Sequence, residues 1–495
     1  MFAAAIAEHN ISMRAMDHIS DVVKHAFPDS AIAQGFCCKR TKTASLTYNV
    51  LAPVMKEQLI SSMKRCVSAA GRPVFSIIID ESTDVSCTKV LACAVMYFDK
   101  EAQTKFLFTI DLEGEKAVDL FAALSDGLKL NGFDINNMIG FAADTTNVMY
   151  DSPAHNILNH YEIRWLSFHS CVARVLEQWD ALIAFFQEEY EVDNNLSAEY
   201  ILSNLKNPTV KLYLLFLDYI LALVNKFNII FQSSRSVVHH LYKTMSEFYK
   251  SVLACYMQEM YINNTDLNAI EPTITFYFVH IKDMCLGIKV ATELSTNSLD
   301  KEHKLAFLKR SQLFLIELCA QLKKRLPLQD NFLKMLSFLD PNDFNNQNCQ
   351  SLFKLYQRFP DFVNDPQIID NEYRTMKTDD MVKMLLTKNL NCDTFWYELS
   401  QLKDINDCYK YSNISKFAQS MLILPVSNAS CERIFSQINL IKTKNRNRFQ
   451  NINVSHILHV KQSLRENGCN NFKPNEQMLC KNFNKLNLSC SDEEG

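Results

Sequence analysis

Two aspartates, Asp80 and Asp144, each follow an apolar run of the kind that forms a strand. Acids at the ends of neighbouring strands can share divalent cations. Two Mg²⁺ ions held that way stabilise the attacking and leaving oxygens of a phosphodiester, and a third acid from a distant helix often completes such a site. Strands also end in Asp for the sake of the following turn, so spacing alone leaves the metal reading open. Asp84, in the run 81–84 (ESTD), reads as part of a polar, solvent-facing loop. His155 and His160 read as ordinary surface or core histidines. From 433 to 448 the chain carries positive side chains at Arg433, Lys442, Lys444, Arg446 and Arg448 and no acid. In extended backbone the last four would share one face. They could then contact phosphates, each contact adding to the salt dependence of binding; a solvated face near a helix end is the other reading.

A sheet and a late helix must position these groups. Residues 73–80 (PVFSIIID) are almost charge-free and rich in β-branched side chains, which suits a buried strand. Residues 90–98 (VLACAVMYF) and 105–110 (KFLFTI) read as two more strands, with a hairpin turn at Asp99 and Lys100. Residues 115–130 have helical periodicity, with Leu120, Leu124 and Leu128 on one face, and 135–143 read as a fourth strand. The expected order is β-β-β-α-β, with acids past two strand ends.

Residues 1–70 read as helices, interrupted at Pro28 and with Pro53 opening a later one. From 161 to 378 the pattern is almost wholly helical. Leu241, Met245, Phe248, Tyr249 and Val252 make one amphipathic stripe; Leu305, Leu308, Leu315, Ile316 and Cys319 make another. A last helical region contains 424–436 (LPVSNASCERIFS), where Ser427 or Asn428 is placed to cap a helix with Cys431 or Glu432 in its first turn. The polar stretch after Asn470 reads as disordered.

Composition narrows the classes. A chain of 495 residues with 48% hydrophobic content can bury a core without staples. Only 9 glycines argue against glycine-rich phosphate loops and hairpin-dense all-β folds. A net charge of −4 means that any nucleic-acid contact comes from a local patch. The 16 cysteines form no CxxC pair, so free thiols in a reducing compartment are expected. No stretch is read as approaching the ~18 to 20 apolar residues of a membrane span. The expectation is a soluble intracellular protein with neither a membrane partner nor a small-molecule substrate.

The segment 75–84 (FSIIIDESTD) resembles the first strand of hAT-superfamily DNA transposases. Residues 140–149 (GFAADTTNVM) resemble that family's fourth strand with its second catalytic acid, and 163–167 (IRWLS), including Trp165, its R-W-L-S element. Residues 425–435 (PVSNASCERIF) and 441–448 (IKTKNRNR) resemble its C-terminal dimerisation region. The resemblance spans about residues 72 to 464. It implies an α/β core, a ribonuclease-H-like mixed sheet, interrupted by a large all-α insertion domain and predominantly helical overall. The implied organisation is an N-terminal helical region (1–70), the first part of the core (71–160), the insertion domain (161–378), the dimerisation region completing the core (379–465) and a disordered tail (466–495).

Carried over residue by residue, the resemblance implies an acidic triad of Asp80, Asp144 and Glu432 as catalytic and metal-binding groups for Mg²⁺ or Mn²⁺. It implies self-association, with Phe435, Ile438, Ile441, Ile457, Leu458 and Val460 burying against the insertion domain or a partner. DNA contact would fall to Lys442, Lys444, Arg446 and Arg448. Two features depart from the family. No zinc-finger spacing precedes the core, and only 13 residues (150–162) stand where relatives carry a further strand, a helix and a Cys-x-x-His element. The favoured expectation is a catalytically inactive, dimerising, transposase-derived nuclear protein that associates with DNA or chromatin. The alternatives are an active cut-and-paste transposase and a host-recruited nuclear adaptor or transcription regulator.

Overall fold

A computed structural model describes residues 1–112, 114, 116–143, 165–193, 196–233, 235–296, 299–343, 351–447 and 449–481. The chain divides into two compact units. One comprises Met1–His160, Ser234–Ser236 and Pro341–Gly495; the other comprises Tyr161–Ser233 and Val237–Asp340.

The first unit is built on a four-stranded mixed sheet in the order β3-β2-β1-β4. Strand β1 (Phe75–Thr83) pairs antiparallel with β2 (Lys89–Asp99), and β2 pairs antiparallel with β3 (Glu101–Asp111). Strand β4 (Met138–Ala142) runs parallel to β1. Phe75, Ile77, Ile78 and Ile79 are all buried, as are Val90 to Phe98, so both faces of the central strands are covered. That is why these strands read as unbroken apolar runs rather than alternating ones. The hairpin turns at Lys100, whose φ of 65° is left-handed, between the facing pair Asp99 and Glu101. Strand β3 begins four residues earlier than its apolar stretch suggested, because Gln103 and Thr104 extend the ladder opposite Tyr97 and Met96. The helix Ala117–Leu130 buries Leu120, Leu124 and Leu128 as expected. Gly127 lets it approach β3: a Cβ there would stand 2.6 Å from the Phe108 ring.

The first and last parts of this unit share one core. Helix Phe2–Glu8 presents Ala3, Ala4 and Ala7 to it, and helix Ala52–Arg65, opened by Pro53, contributes Val54 and Met55. Helices Ala429–Ile441 and Asn451–Leu464 supply Ile438, Ile441, Ile457, Leu458 and Val460. Residues 466–481, expected to belong to a disordered tail, are packed here: Cys469 and Met478 are buried in the core and Phe472 lies against it. Their apolar side chains find a surface that a count of polar residues does not reveal.

The second unit is helical, and it closes at Asp340 rather than near residue 378. Residues 351–378 belong with the sheet unit because their bonds lead there. Phe362 accepts the backbone N–H of Ala70, and the Glu372 carboxylate accepts the N–H groups of Asn413 and Ile414 at 3.0 and 2.8 Å.

Within the second unit, helix Val238–Leu253 buries Leu241, Met245, Phe248, Tyr249 and Val252. In helix Lys301–Arg325 the buried line is Phe307, Ser311, Leu315, Cys319 and Leu322; Leu305 is exposed, so the stripe read from the sequence is partly off its true face. Helix Pro208–Phe231 is long and apolar enough to cross a membrane by length and composition, contrary to the expectation of no such stretch. In this unit its Leu212, Phe216, Ile220, Leu221 and Val224 are core, and Phe227 stacks on Phe248 at 4.4 Å.

Candidate functional site

The site grows from the end of β1. Burial along β1 is continuous through Ile79 and loosens at Asp80, where the strand leaves the core. Asp80 lies opposite Ala92 of β2 and accepts the backbone N–H of Glu81 on its own carboxylate at 2.9 Å. On the other side, Ile78 is in register with Ala142 of β4. Each of these residues precedes one of the two candidate aspartates by two positions in the chain. Asp144 itself lies outside the described residues, as do His155, His160 and the side chain of Trp165; Trp165 begins a helix, Trp165–Glu177.

The third acid arrives on helix Ala429–Ile441. Gly140 makes room for its approach: a Cβ at this position of β4 would stand 2.6 Å from Ser76 Oγ and 2.7 Å from Pro425 Cδ. The segment ahead of the helix can therefore pass tightly against the strand pair. Asn428 is the N-cap residue, and Glu432 is in the first turn, as the sequence suggested. Cys431 is fully buried, with Sγ 3.2 Å from the Ile78 carbonyl oxygen and 3.7 Å from that of Ala92. The helix start is thus seated on β1 and β2 beside Asp80. Burial drives the Cys431 thiol well above its ordinary pKa, and the charges of Asp80 and Glu432 are among the further causes. The fold therefore brings the first and third candidate acids into one neighbourhood, with Glu432 on the exposed side of its helix. Carboxylate oxygens suit Mg²⁺ or Mn²⁺. The Asn428 amide, fully buried with neither its oxygen nor its nitrogen bonded, is the kind of group a water on such an ion would satisfy.

The basic run is not a uniform phosphate-binding face. Lys442 is turned inward. Its Nζ donates to Asp84 Oδ2 at 2.5 Å and to Asn451 Oδ1 at 3.0 Å, and Asn451 Nδ2 donates to Asp111 Oδ1 at 2.6 Å. Removing a lysine so placed from its carboxylate costs more than a solvated phosphate returns. Arg446 donates to the backbone oxygen of Asn10 at 2.9 Å and lies over the Phe449 ring. Lys444 is exposed, and Arg448 lies outside the described residues.

Asp84, read from sequence as part of a solvent-facing loop, is the anchor of this network. Its carboxylate also accepts the N–H groups of Ser86 and Thr88, at 2.7 and 3.0 Å. Burial alone would raise its pKa; the bonds from Lys442, Ser86 and Thr88 outweigh burial and hold it down at about 2. No local signal could have joined Asp84 to Lys442, 358 residues later.

Of the six apolar positions read as burying against the insertion domain or a partner, five are interior to the sheet unit and the sixth is half-buried against it. Ile438, Ile441, Ile457, Leu458 and Val460 are buried, and Phe435 packs against the same cluster with the N-terminal helices. Apolar periodicity marks a face that is covered without saying whether the cover comes from the same chain.

Residues 379–464 match the hAT family C-terminal dimerisation region, which supports self-association. Residues 30–152 match the ZMYM1/FAM200, RNase-like domain. No curated protein matches the chain. The RNase-like match covers the sheet that carries Asp80, and the dimerisation match covers the helix that carries Glu432; together the two matches support an hAT-family, transposase-derived protein.

Proposed function

We propose that this protein is a self-associating, non-cleaving derivative of a transposase that associates with DNA or chromatin in the nucleus. The observation that carries the reading is how its dimerisation region is built. Helix Asn451–Leu464 is bonded to β3 through Gln462 and Phe106, and through Ser455 and Thr109. Helix Ala429–Ile441 rests on β1 and β2 through Cys431. An assembly surface made of these helices needs the sheet beneath it, so the old core is required for shape whether or not its chemistry survives.

Loss of cleavage is supported by the short stretch after the second acid. Strand β4 has five residues and is an edge strand among the described residues. The 13 residues from 150 to 162 are too few for another strand with its crossover. In the acid-free run, DNA association falls to Lys444 and Arg448.

A second reading, an active transposase using Mg²⁺ or Mn²⁺ with Asp80, Asp144 and Glu432, is favoured by the seating of Cys431, next to Glu432 in the chain, on the carbonyls of Ile78 and Ala92, the latter facing Asp80. Incubating the full chain with supercoiled plasmid and Mn²⁺ separates the two. The proposal expects no nicking beyond that of an Asp80→Asn variant. Metal-dependent nicking that disappears in Asp80→Asn would replace it with the second reading.

A further inference from the structure

The geometry points to a zinc site formed by Glu8, His9 and Cys469, which clips the N-terminal helix to the turn that follows the last long helix. Cys469 N–H donates to Glu8 Oε2 at 2.9 Å. His9 Nε2 stands 3.8 Å from that same oxygen, and Cys469 Sγ stands 4.0 Å from His9 Nε2. One donor atom from each residue can be chosen so that all three lie within 4.8 Å of one another.

Zinc binds thiolate sulfur at ~2.3 Å and nitrogen or oxygen at ~2.0 to 2.2 Å, so neighbouring donors in a tetrahedral site stand roughly 3.3 to 3.6 Å apart. Small side-chain movements would close the cluster to that spacing. The donor set decides the metal. Thiolate, imidazole and carboxylate together suit Zn²⁺, whereas Mg²⁺ prefers oxygen alone.

The parts differ in freedom. Cys469 is 7% exposed and Glu8 is fixed by the Cys469 N–H, so two ligands are pre-positioned. The His9 side chain is 62% exposed and can turn onto an ion. Gly468, with φ at 65°, swings the chain so that Cys469 faces the end of helix Phe2–Glu8. A helix C-terminus favours positive charge. A fourth position is available to water or to Asn470, whose Oδ1 is 3.7 Å from the sulfur. On binding, the Cys469 thiol proton leaves to water and His9 coordinates through neutral Nε2 with its proton on Nδ1. The ligands are 460 residues apart across sulfur and imidazole, so no sequence spacing of zinc-finger type announces them.

Co²⁺ is the probe, added to the metal-stripped full chain. One equivalent is expected to give thiolate-to-cobalt absorption with the intense visible bands of tetrahedral cobalt, both erased by Zn²⁺. Cys469→Ser is expected to abolish the thiolate band. His9→Gln, at an exposed position that leaves the core intact, is expected to weaken binding by at least about tenfold. Cys37→Ser and Cys480→Ser, at exposed thiols elsewhere, are expected to leave the spectrum unchanged. Zn²⁺ is expected to raise the unfolding temperature of the native chain more than that of His9→Gln at the same concentration. No thiolate band, or a band that survives Cys469→Ser in a folded protein, overturns the site; so does unweakened binding by His9→Gln.

Discussion

Lys442 Nζ and Asp84 Oδ2 stand 2.5 Å apart, with 4% and 3% of their side chains exposed, and join the end of helix Ala429–Ile441 to the turn after β1. Breaking a buried pair by removing one partner strands the other charge and costs about 3–5 kcal/mol. Asp84→Asn and Lys442→Met are each expected to destabilise the protein by about that amount in urea unfolding. The double variant should recover most of the loss, because no unpaired charge remains. Equal and additive losses would show that the pair does not act as a unit.

The same residues bear on DNA. Each phosphate contact contributes about 0.9 to the slope of log affinity against log salt on duplex DNA. Lys444→Gln should flatten that slope by about one contact. Lys442→Met should leave the slope of the remaining folded protein unchanged. A loss of slope in Lys442→Met with none in Lys444→Gln would reverse the assignment.

Gly140 and Ser76 show how closely β4, β1 and the 424–425 segment meet. Gly140→Ala would place a methyl 2.6 Å from Ser76 Oγ and 2.7 Å from Pro425 Cδ. Overpacking of this kind costs about 1–3 kcal/mol. Accelerated reaction of Cys431 with a thiol reagent would report the helix lifting from the sheet. An unchanged rate and stability would mean that the contact relaxes without cost.

Acid should weaken the fold in two stages. Burial lowers the His459 pKa to about 3, with the charges of Lys56 and His456 adding to the effect. The unfolded chain therefore takes up this proton first, near the ordinary histidine pKa of about 6.5. Stability due to neutral His459 is full above that value and declines by up to about 1.4 kcal/mol per pH unit on the way down. Asp84, depressed to about 2, adds a second loss as pH falls from about 4 towards 2. His459→Gln should shrink the first stage without abolishing it, because burial also holds His239 down at about 4; an unaltered profile of unfolding midpoint against pH would contradict the His459 part.

The strands were legible because burial on both faces turns a strand into an uninterrupted apolar run, as in Ile77-Ile78-Ile79 and Val90 to Phe98. The start of helix Ala429–Ile441 was legible from local residue types, although the Asn428 side chain makes no capping bond there. What escaped depends on distant partners. Lys442 looks like a surface cation until Asp84 is placed against it. Ile441 and Val460 look like partner contacts until helices from the first 70 residues cover them. Cys469 and Met478 stand in a polar stretch whose packing depends on the helix at the other end of the chain. Periodicity records that a side chain is covered, and topology alone says by what.

Interior placement also fixes what substitutions there will do. Ile441→Ala, at a fully buried position, should lower protomer stability by about 2–5 kcal/mol rather than separating folded protomers. A stable, folded monomer produced by Ile441→Ala would show that the residue belongs to the interface.

Light scattering on the full chain at micromolar concentration tests the central claim most directly. A chain of 57.0 kDa that self-associates through its hAT region should give a dimer's mass, twice that value, or a higher multiple. A single species at 57.0 kDa across the concentration range would contradict the account.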